Sequence, residues 1–228
     1  MEERTGRLWE VDAARGVAII LMVIFHLAYD LKSFYGWQLD LWNGVWFYIG
    51  RSAAVLFMLL AGLGCLFNTR ALRHGLVVFG WGMVLTAATY VFDPSTYIRF
   101  GILHLIGVCI ITGPVLSKLR TYWLVILAIL SVFAGKMFLS LTVPYWHLIP
   151  FGLTPSNFIS LDYYPLLPWY GVFLAGIMVG RVVYRKRMPH IKPVKRLDFL
   201  ARAGRHSLMI YLLHQPILLA ILRVVIPK

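Results

Sequence analysis

The sequence predicts an all-α polytopic membrane protein: a bundle of about seven transmembrane helices with its N-terminus in the cytoplasm. Three observations carry this. First, 60% of its 228 residues are hydrophobic and only 14% are charged, whereas a soluble domain is near half apolar and a quarter charged. Second, the apolar residues gather into stretches, roughly 13–31, 45–67, 75–92, 101–117, 121–141, 165–183 and 206–226. Each is near the length that crosses a hydrocarbon core of about 30 Å. Third, the Lys and Arg residues behind the net charge of +13 cluster in the segments between those stretches. Positive-inside placement accounts for that pattern more simply than nucleic-acid binding does.

The first stretch follows a segment that mixes acidic and basic residues, with no small-residue cleavage site behind a short apolar core. It is therefore expected to stay in the protein rather than be removed as a signal peptide. From there the chain alternates sides. The N-terminal segment, 68–74, 118–120 and 184–205 share one side and hold nearly all the loop charge, including Arg185, Lys186, Arg187, Lys192, Lys195, Arg196, Arg202 and Arg205. The opposite loops, 32–44, 93–100 and 142–164, contain only Lys32 and Arg99. This puts the N-terminus in the cytoplasm and the C-terminus outside. Lys136, near the far end of the fifth span, is placed to snorkel to the interface. The long 142–164 segment is aromatic and carries Pro and Asn, which predicts an ordered cap at the external interface. Eight Trp and twelve Tyr suit interfacial belts. Cys65 and Cys109 fall in apolar stretches and imply no disulfide framework. No repeat or soluble segment interrupts the chain, so residues 1–228 are read as one domain. Its small size and compact loops point to a prokaryotic plasma membrane.

Chemistry concentrates in the first span, WEVDAARGVAIILMVIFHLAYDL from Trp9 to Leu31. At about 100° per residue, Asp12, Arg15, His26 and Asp30 fall within about 60° of one another. Ionisable groups inside a span are costly and mark a functional site. Arg15 and His26 lie about 16 Å apart along the helix, one at the cytoplasmic face and the other towards the external leaflet. Histidine suits proton transfer near neutral pH, and Asp30, one turn later, is expected to orient the imidazole as a triad acid does. The bland alternative is a satisfied buried histidine with Arg15 as an anchor; four ionisable groups on one face favour function.

Three further stretches add candidates. In IRFGILHLIG, Arg99 opens the fourth span and His104 enters from the external side, to a depth comparable to His26. Two histidines at one depth are expected to converge, unless His104 is simply hydrogen-bonded between helices. Without carboxylate support they are a weak metal set, and no metal is expected. In PLLPWYG the prolines suit a helix start, and Trp169 stays a candidate. In RHSLMIYLLHQPILL, Ser207, Tyr211 and His214 share a face, and Pro216 frees a backbone carbonyl. His214 is a site candidate, whereas Ser207 and Tyr211 suit interhelical glue. Arg51 is a further buried-charge candidate, with Asp30 or Asp40 as its ordinary partner.

Taken together, VDAARGVAIILMVIFH, RFGILHLIG, PLLPWYGVFLAG and RHSLMIYLLHQP resemble the heparan-alpha-glucosaminide N-acetyltransferase catalytic-domain family, within the wider transmembrane acyltransferase superfamily. The resemblance covers essentially the whole chain, and Arg15 and His26 with ten residues between them are similar to the superfamily's arginine-ten-histidine signature. It implies transfer of an acyl group, usually acetyl, from cytoplasmic acyl-CoA to an amine or hydroxyl of a sugar-like acceptor outside. His26 matches the catalytic histidine and Arg15 the residue at the CoA entrance, while His104 and His214 match motif histidines. On this basis His26, Asp30 and His104 are assigned to catalysis. Arg15, Arg70, Arg73, His214 and Arg205 are assigned to acetyl-CoA, whose phosphates need the basic side. Arg51, Arg99 and Trp169 are assigned to the acceptor. Whether His26 acts as a base or carries the acyl group stays open. Larger relatives have ten or more spans, so either this core is minimal or a second copy, in a homodimer, supplies the missing walls.

Two other functions fit the same polar stripe. A transporter or channel for an anion or small metabolite predicts a continuous water path and no acyl-CoA turnover, although no repeat is evident. A non-catalytic subunit predicts tolerance of His26→Gln. A seven-helix receptor has the opposite topology.

Overall fold

Apolar side chains on a backbone that must satisfy its own hydrogen bonds leave the helix as the element of choice in lipid. In the computed structural model, which describes residues 8–138, 140–184 and 194–226, every regular element is helical. The seven expected stretches become α1 (Trp9–Tyr35), α2 (Gly44–Gly64), α3 (Ala71–Phe92), α4 (Ile102–Leu116), α5 (Thr121–Phe138), α6 (Leu166–Val183) and, last in the chain, α8 (Ser207–Val225). A short helix inside the expected 184–205 loop, α7 (Asp198–Arg205), precedes α8. Arg185, Lys186, Arg187 and Lys192 of the expected basic loop lie outside the described residues.

Six helices are long and apolar enough to cross a membrane; α4 is apolar but has only 15 residues. In α8 only 6% of the most apolar stretch is buried, a surface that suits lipid and not water. Helix α1 overruns its expected span at both ends. Glu10 and Asp12 favour its first turn, and Gly36, at φ 72°, stops it by adopting a left-handed conformation that few other residues accept.

The chain divides into two compact units, one from the described residues of Met1–Phe57 and Pro189–Lys228, the other from those of Met58–Met188. In the first, α1 packs against α7 and α8. Helix α7 forms because Asp198 sits in its first turn and pairs with Arg202 at 2.8 Å, one turn on. Its small face, Ala201 and Gly204, is buried. A Cβ on Gly204 would overlap the Asp12 carbonyl, and one on Gly16 would overlap the backbone of Leu200. Glycine at both positions lets the two backbones touch.

In the second unit, α3 packs on α4 and α5 on α6. The end of α2 meets α6 through Gly62 and Gly176, where added Cβ atoms would overlap the backbone of Phe173 and Leu59. Arg181 of α6 closes the far end of α4, donating from Nη2 to the carbonyls of Ser117 and Leu119, each at 2.7 Å. The aromatic 142–164 segment is ordered, with a 3-10 stretch at Trp146–Phe151. It is tied to the 93–100 loop by Leu161 N–H donating to Thr96 at 2.8 Å and Tyr164 N–H donating to Phe100 at 2.9 Å.

Within this cap, the Tyr163 hydroxyl donates to the Ile149 carbonyl at 2.8 Å, and burial pushes its pKa up to about 12. The folded state thus holds the neutral phenol more firmly than the unfolded chain does, whose tyrosine titrates near ~10. The stabilisation is complete below that value and is lost as pH rises through about 12. Thermal unfolding in detergent should show Tyr163→Phe less stable than the parent below pH ~10, with the gap narrowing above it. A gap that does not change with pH would remove the titration from the cap's stability.

Candidate active site

The four ionisable residues of α1 do share one helix, but they act as two separate pairs of attachments. At the N-terminal end, Arg15 Nη1 donates to Asp12 Oδ1 at 3.0 Å, and Asp12 is buried. Arg15 lies under α7, with its Cβ near Gly204. Lys195, Arg196, Asp198, Phe199 and Arg202 line an open groove of about 460 Å³ on α7 and the 3-10 turn before it. Arg205 is exposed on the same helix. The groove therefore sets positive charge next to an open volume.

Further along α1, His26 Nδ1 lies 2.9 Å from the Met22 carbonyl. A carbonyl has no proton to give, so Nδ1 carries the hydrogen and Nε2 keeps its lone pair. His214 of α8 repeats this one turn from its own helix: Nδ1 donates to the Tyr211 carbonyl at 2.6 Å. The two imidazoles meet edge to face, with centroids 4.7 Å apart and planes at 77°. Beside them Asp30, wholly buried, accepts on Oδ1 from Gln215 Nε2 at 2.6 Å. Three buried atoms of this cluster have no hydrogen-bond partner among the described residues: His214 Nε2, Asp30 Oδ2 and Gln215 Oε1. All three are acceptors in these roles, and buried acceptors without donors are expensive. A group that brings N–H or O–H donors is what they lack.

Several sequence assignments change against this geometry. Asp30 does not orient His26, because the Met22 carbonyl, four residues back along the same helix, already holds Nδ1 while Asp30 holds Gln215. His214, assigned to the CoA side, is the neighbour of His26 instead. His104 has neither ring nitrogen free. Nδ1 accepts from the Gly101 amide at 3.1 Å, capping the start of α4, and Nε2 pairs with the Thr86 hydroxyl of α3 at 3.3 Å. With Phe79 and Phe100 on its ring and Gly82 against it, His104 binds α3 to α4. Trp169 is buried against Tyr164 in the second unit and presents no open face.

The remaining arginines are spread out. Arg51 is exposed, with its guanidinium 5.2 Å from the centre of the Phe47 ring. Its ordinary partners are engaged elsewhere: Asp30 with Gln215, and Asp40 with the Trp42 amide and the Asn43 side chain, which hold the Asp40 carboxyl below its usual value. Arg70 and Arg73 are exposed at the start of α3, and Arg99 is caged by aromatic rings in the cap. Met22 and Gln215 were not foreseen. Gln215 had a signal, a polar residue between His214 and Pro216 in an apolar span; a backbone carbonyl such as that of Met22 leaves none.

The family model described as heparan-alpha-glucosaminide N-acetyltransferase, catalytic, matches residues 7–216. No significant match to a curated protein or to a solved structure is found. The matched segment contains both ends of α1, the basic groove and the histidine pair, which accounts for nearly all of the chain. The protein therefore belongs to the heparan-alpha-glucosaminide N-acetyltransferase catalytic family, and is a multi-pass membrane protein of the transferase kind.

Proposed function

We propose that the protein moves an acetyl group from cytoplasmic acetyl-CoA to the amine of a sugar-like acceptor on the external side, as a single domain whose seven apolar helices, α4 included, all cross the membrane. The observation that carries this is the pairing of His26 with His214 beside three partnerless buried acceptors. An amino sugar supplies N–H and O–H donors for those atoms, and a carboxylate or phosphate does not.

In this reading the phosphates of the donor rest on the groove of Lys195, Arg196 and Arg202, with Arg15 and Arg205 of the same unit adding to the positive field. The thin arm of the donor runs beside α1 and brings the thioester towards His26. Asp30, Gln215 and His214 accept from the remaining amine N–H and the hydroxyls of the acceptor sugar. His26 Nε2 takes a proton from the amine as its nitrogen bonds to the acetyl carbon. The carbon–sulfur bond breaks, and the proton passes from His26 to the leaving sulfur. The Met22 carbonyl keeps the imidazole in the tautomer that this step uses.

The test is acetyl transfer by the purified protein in detergent from labelled acetyl-CoA to a panel of amino sugars and to the same sugars with hydroxyl in place of the amine. Label is expected in the amino sugars and not in their hydroxyl counterparts. Saturable acetyl-CoA binding with label only in the hydroxyl sugars would reassign the acceptor. No binding and no turnover, with anion flux into liposomes, would replace this reading with a transporter.

A further inference from the structure

Arg99 lies in the cap of the second unit, in a setting that its ordinary partners do not explain. Its guanidinium carbon is 4.4 Å from the centre of the Tyr97 ring, 4.7 Å from that of Trp146 and 5.7 Å from that of Phe158. Stacking of this kind holds a guanidinium in place and favours its charge. It does not fill its hydrogen bonds. Nε and Nη1 are buried without a partner among the described residues, and Nη2 reaches only the Ser95 carbonyl at 3.5 Å, the edge of the range. The neighbouring acids are committed elsewhere. Asp162 accepts from the Ile102 amide at 2.9 Å and so caps α4, while Asp93 accepts from the Ser95 and Thr96 hydroxyls of its own turn. Neither ion pair found among the described residues involves Arg99. A permanently charged side chain with vacant donors in an apolar cage lacks an anion.

The rim of the cage identifies the anion's carrier. Leu141, Tyr145, Trp146, Phe151, Ile159 and Leu161 all leave large apolar side chains exposed on the same cap. Arg99 is the sole Lys or Arg in the two loops, 93–100 and 142–164, that build it. A freely soluble anion finds one cation here and a water-repelling border. A molecule that joins an anion to apolar chains fits both. We propose that Arg99 and its aromatic cage bind the headgroup phosphate of a membrane phospholipid, whose chains cover the exposed apolar rim. The preference for Trp and Tyr at the edge of the site matches the interfacial depth where such phosphates lie.

Native mass spectrometry of the full chain tests this. Phosphatidylglycerol is added to the delipidated protein in detergent, alongside separate arms with glycerol phosphate and with inorganic phosphate. The parent is expected to retain one phosphatidylglycerol. Arg99→Gln is expected to lower the bound fraction about tenfold, with Arg99→Lys between them, since loss of a charge-assisted contact is worth roughly that factor. A second measurement needs no variant: micromolar phosphatidylglycerol should raise the thermal midpoint of the parent, and millimolar glycerol phosphate should not. Equal lipid retention by the parent and a folded Arg99→Gln would overturn the proposal. So would stabilisation of the parent by glycerol phosphate or inorganic phosphate as strong as that by the lipid, which would make the cage a site for soluble anions. Should Arg99→Gln not fold, the parent's response to lipid against soluble phosphate decides by itself.

Discussion

His26→Ala should lower acetyl transfer by about 10²–10⁴-fold, the range that a positioned general base contributes, while leaving the affinity for acetyl-CoA close to that of the parent. The split follows from distance along α1. The imidazole is removed about 16 Å from the Arg15 end, where the donor's phosphates are proposed to rest, so binding and chemistry separate. The fold should survive, because among the described residues the ring's one hydrogen bond is to the Met22 carbonyl of its own helix. Single-turnover rates with labelled acetyl-CoA, set beside equilibrium binding of the unlabelled donor, read both quantities. His26→Gln should be as slow as the alanine variant, since an amide accepts a proton no better at neutral pH. Parent-like rates in either variant would remove His26 from the chemistry and leave the pair with His214 as interhelical packing.

Gly204→Val should cost about 3 kcal/mol of stability, the upper part of the range for overpacking a close contact, and should also weaken acetyl-CoA binding. The added side chain meets the carbonyl of Asp12, which is backbone within a helix and has nowhere to move. Helix α7 must then lift from α1, and with it go Phe199 and Arg202 of the basic groove. Gly80→Ala is the matched control, because nothing lies within 4 Å of its added Cβ. There the change should be neutral or stabilise by about 0.5–1 kcal/mol, as alanine replaces glycine inside a helix. Thermal unfolding and donor titration of the three proteins would settle the matter: a Gly204→Val protein with an unshifted midpoint would mean that α7 does not depend on this approach.

Much of the architecture was legible because lipid imposes a strict rule. A backbone in hydrocarbon has to bond to itself, so each long apolar stretch could only be a helix, and all seven appear within a few residues of their expected limits. The errors fall where that rule stops applying. Helix α7 was hidden because DFLARAGR is short and charged; its stability comes from the Asp198–Arg202 pair and from two glycines that let it rest on α1. Helix α4 starts at Ile102, one residue inside its expected start, because there the His104 ring and the Asp162 carboxylate take up the first free amides.

The candidate site divides in the same way. The stripe of Asp12, Arg15, His26 and Asp30 and the distance between its ends are properties of a single helix, so the sequence alone determined them: periodicity and rise per residue are local geometry. Which side chains meet across helices is not local. His214 rather than His104 is the partner of His26, and Asp30 joins a glutamine 185 residues away. Both outcomes depend on how each helix is rotated and how deep it sits against its neighbour, and those are set by small residues and side-chain shapes throughout the packed surfaces. His104 shows the reason most clearly. Its sequence setting made it the equal of His26, but Gly82 brings α3 against its ring while Gly101 and Thr86 take both nitrogens. Packing thus turned one histidine into a structural tie and left the other with a lone pair to use.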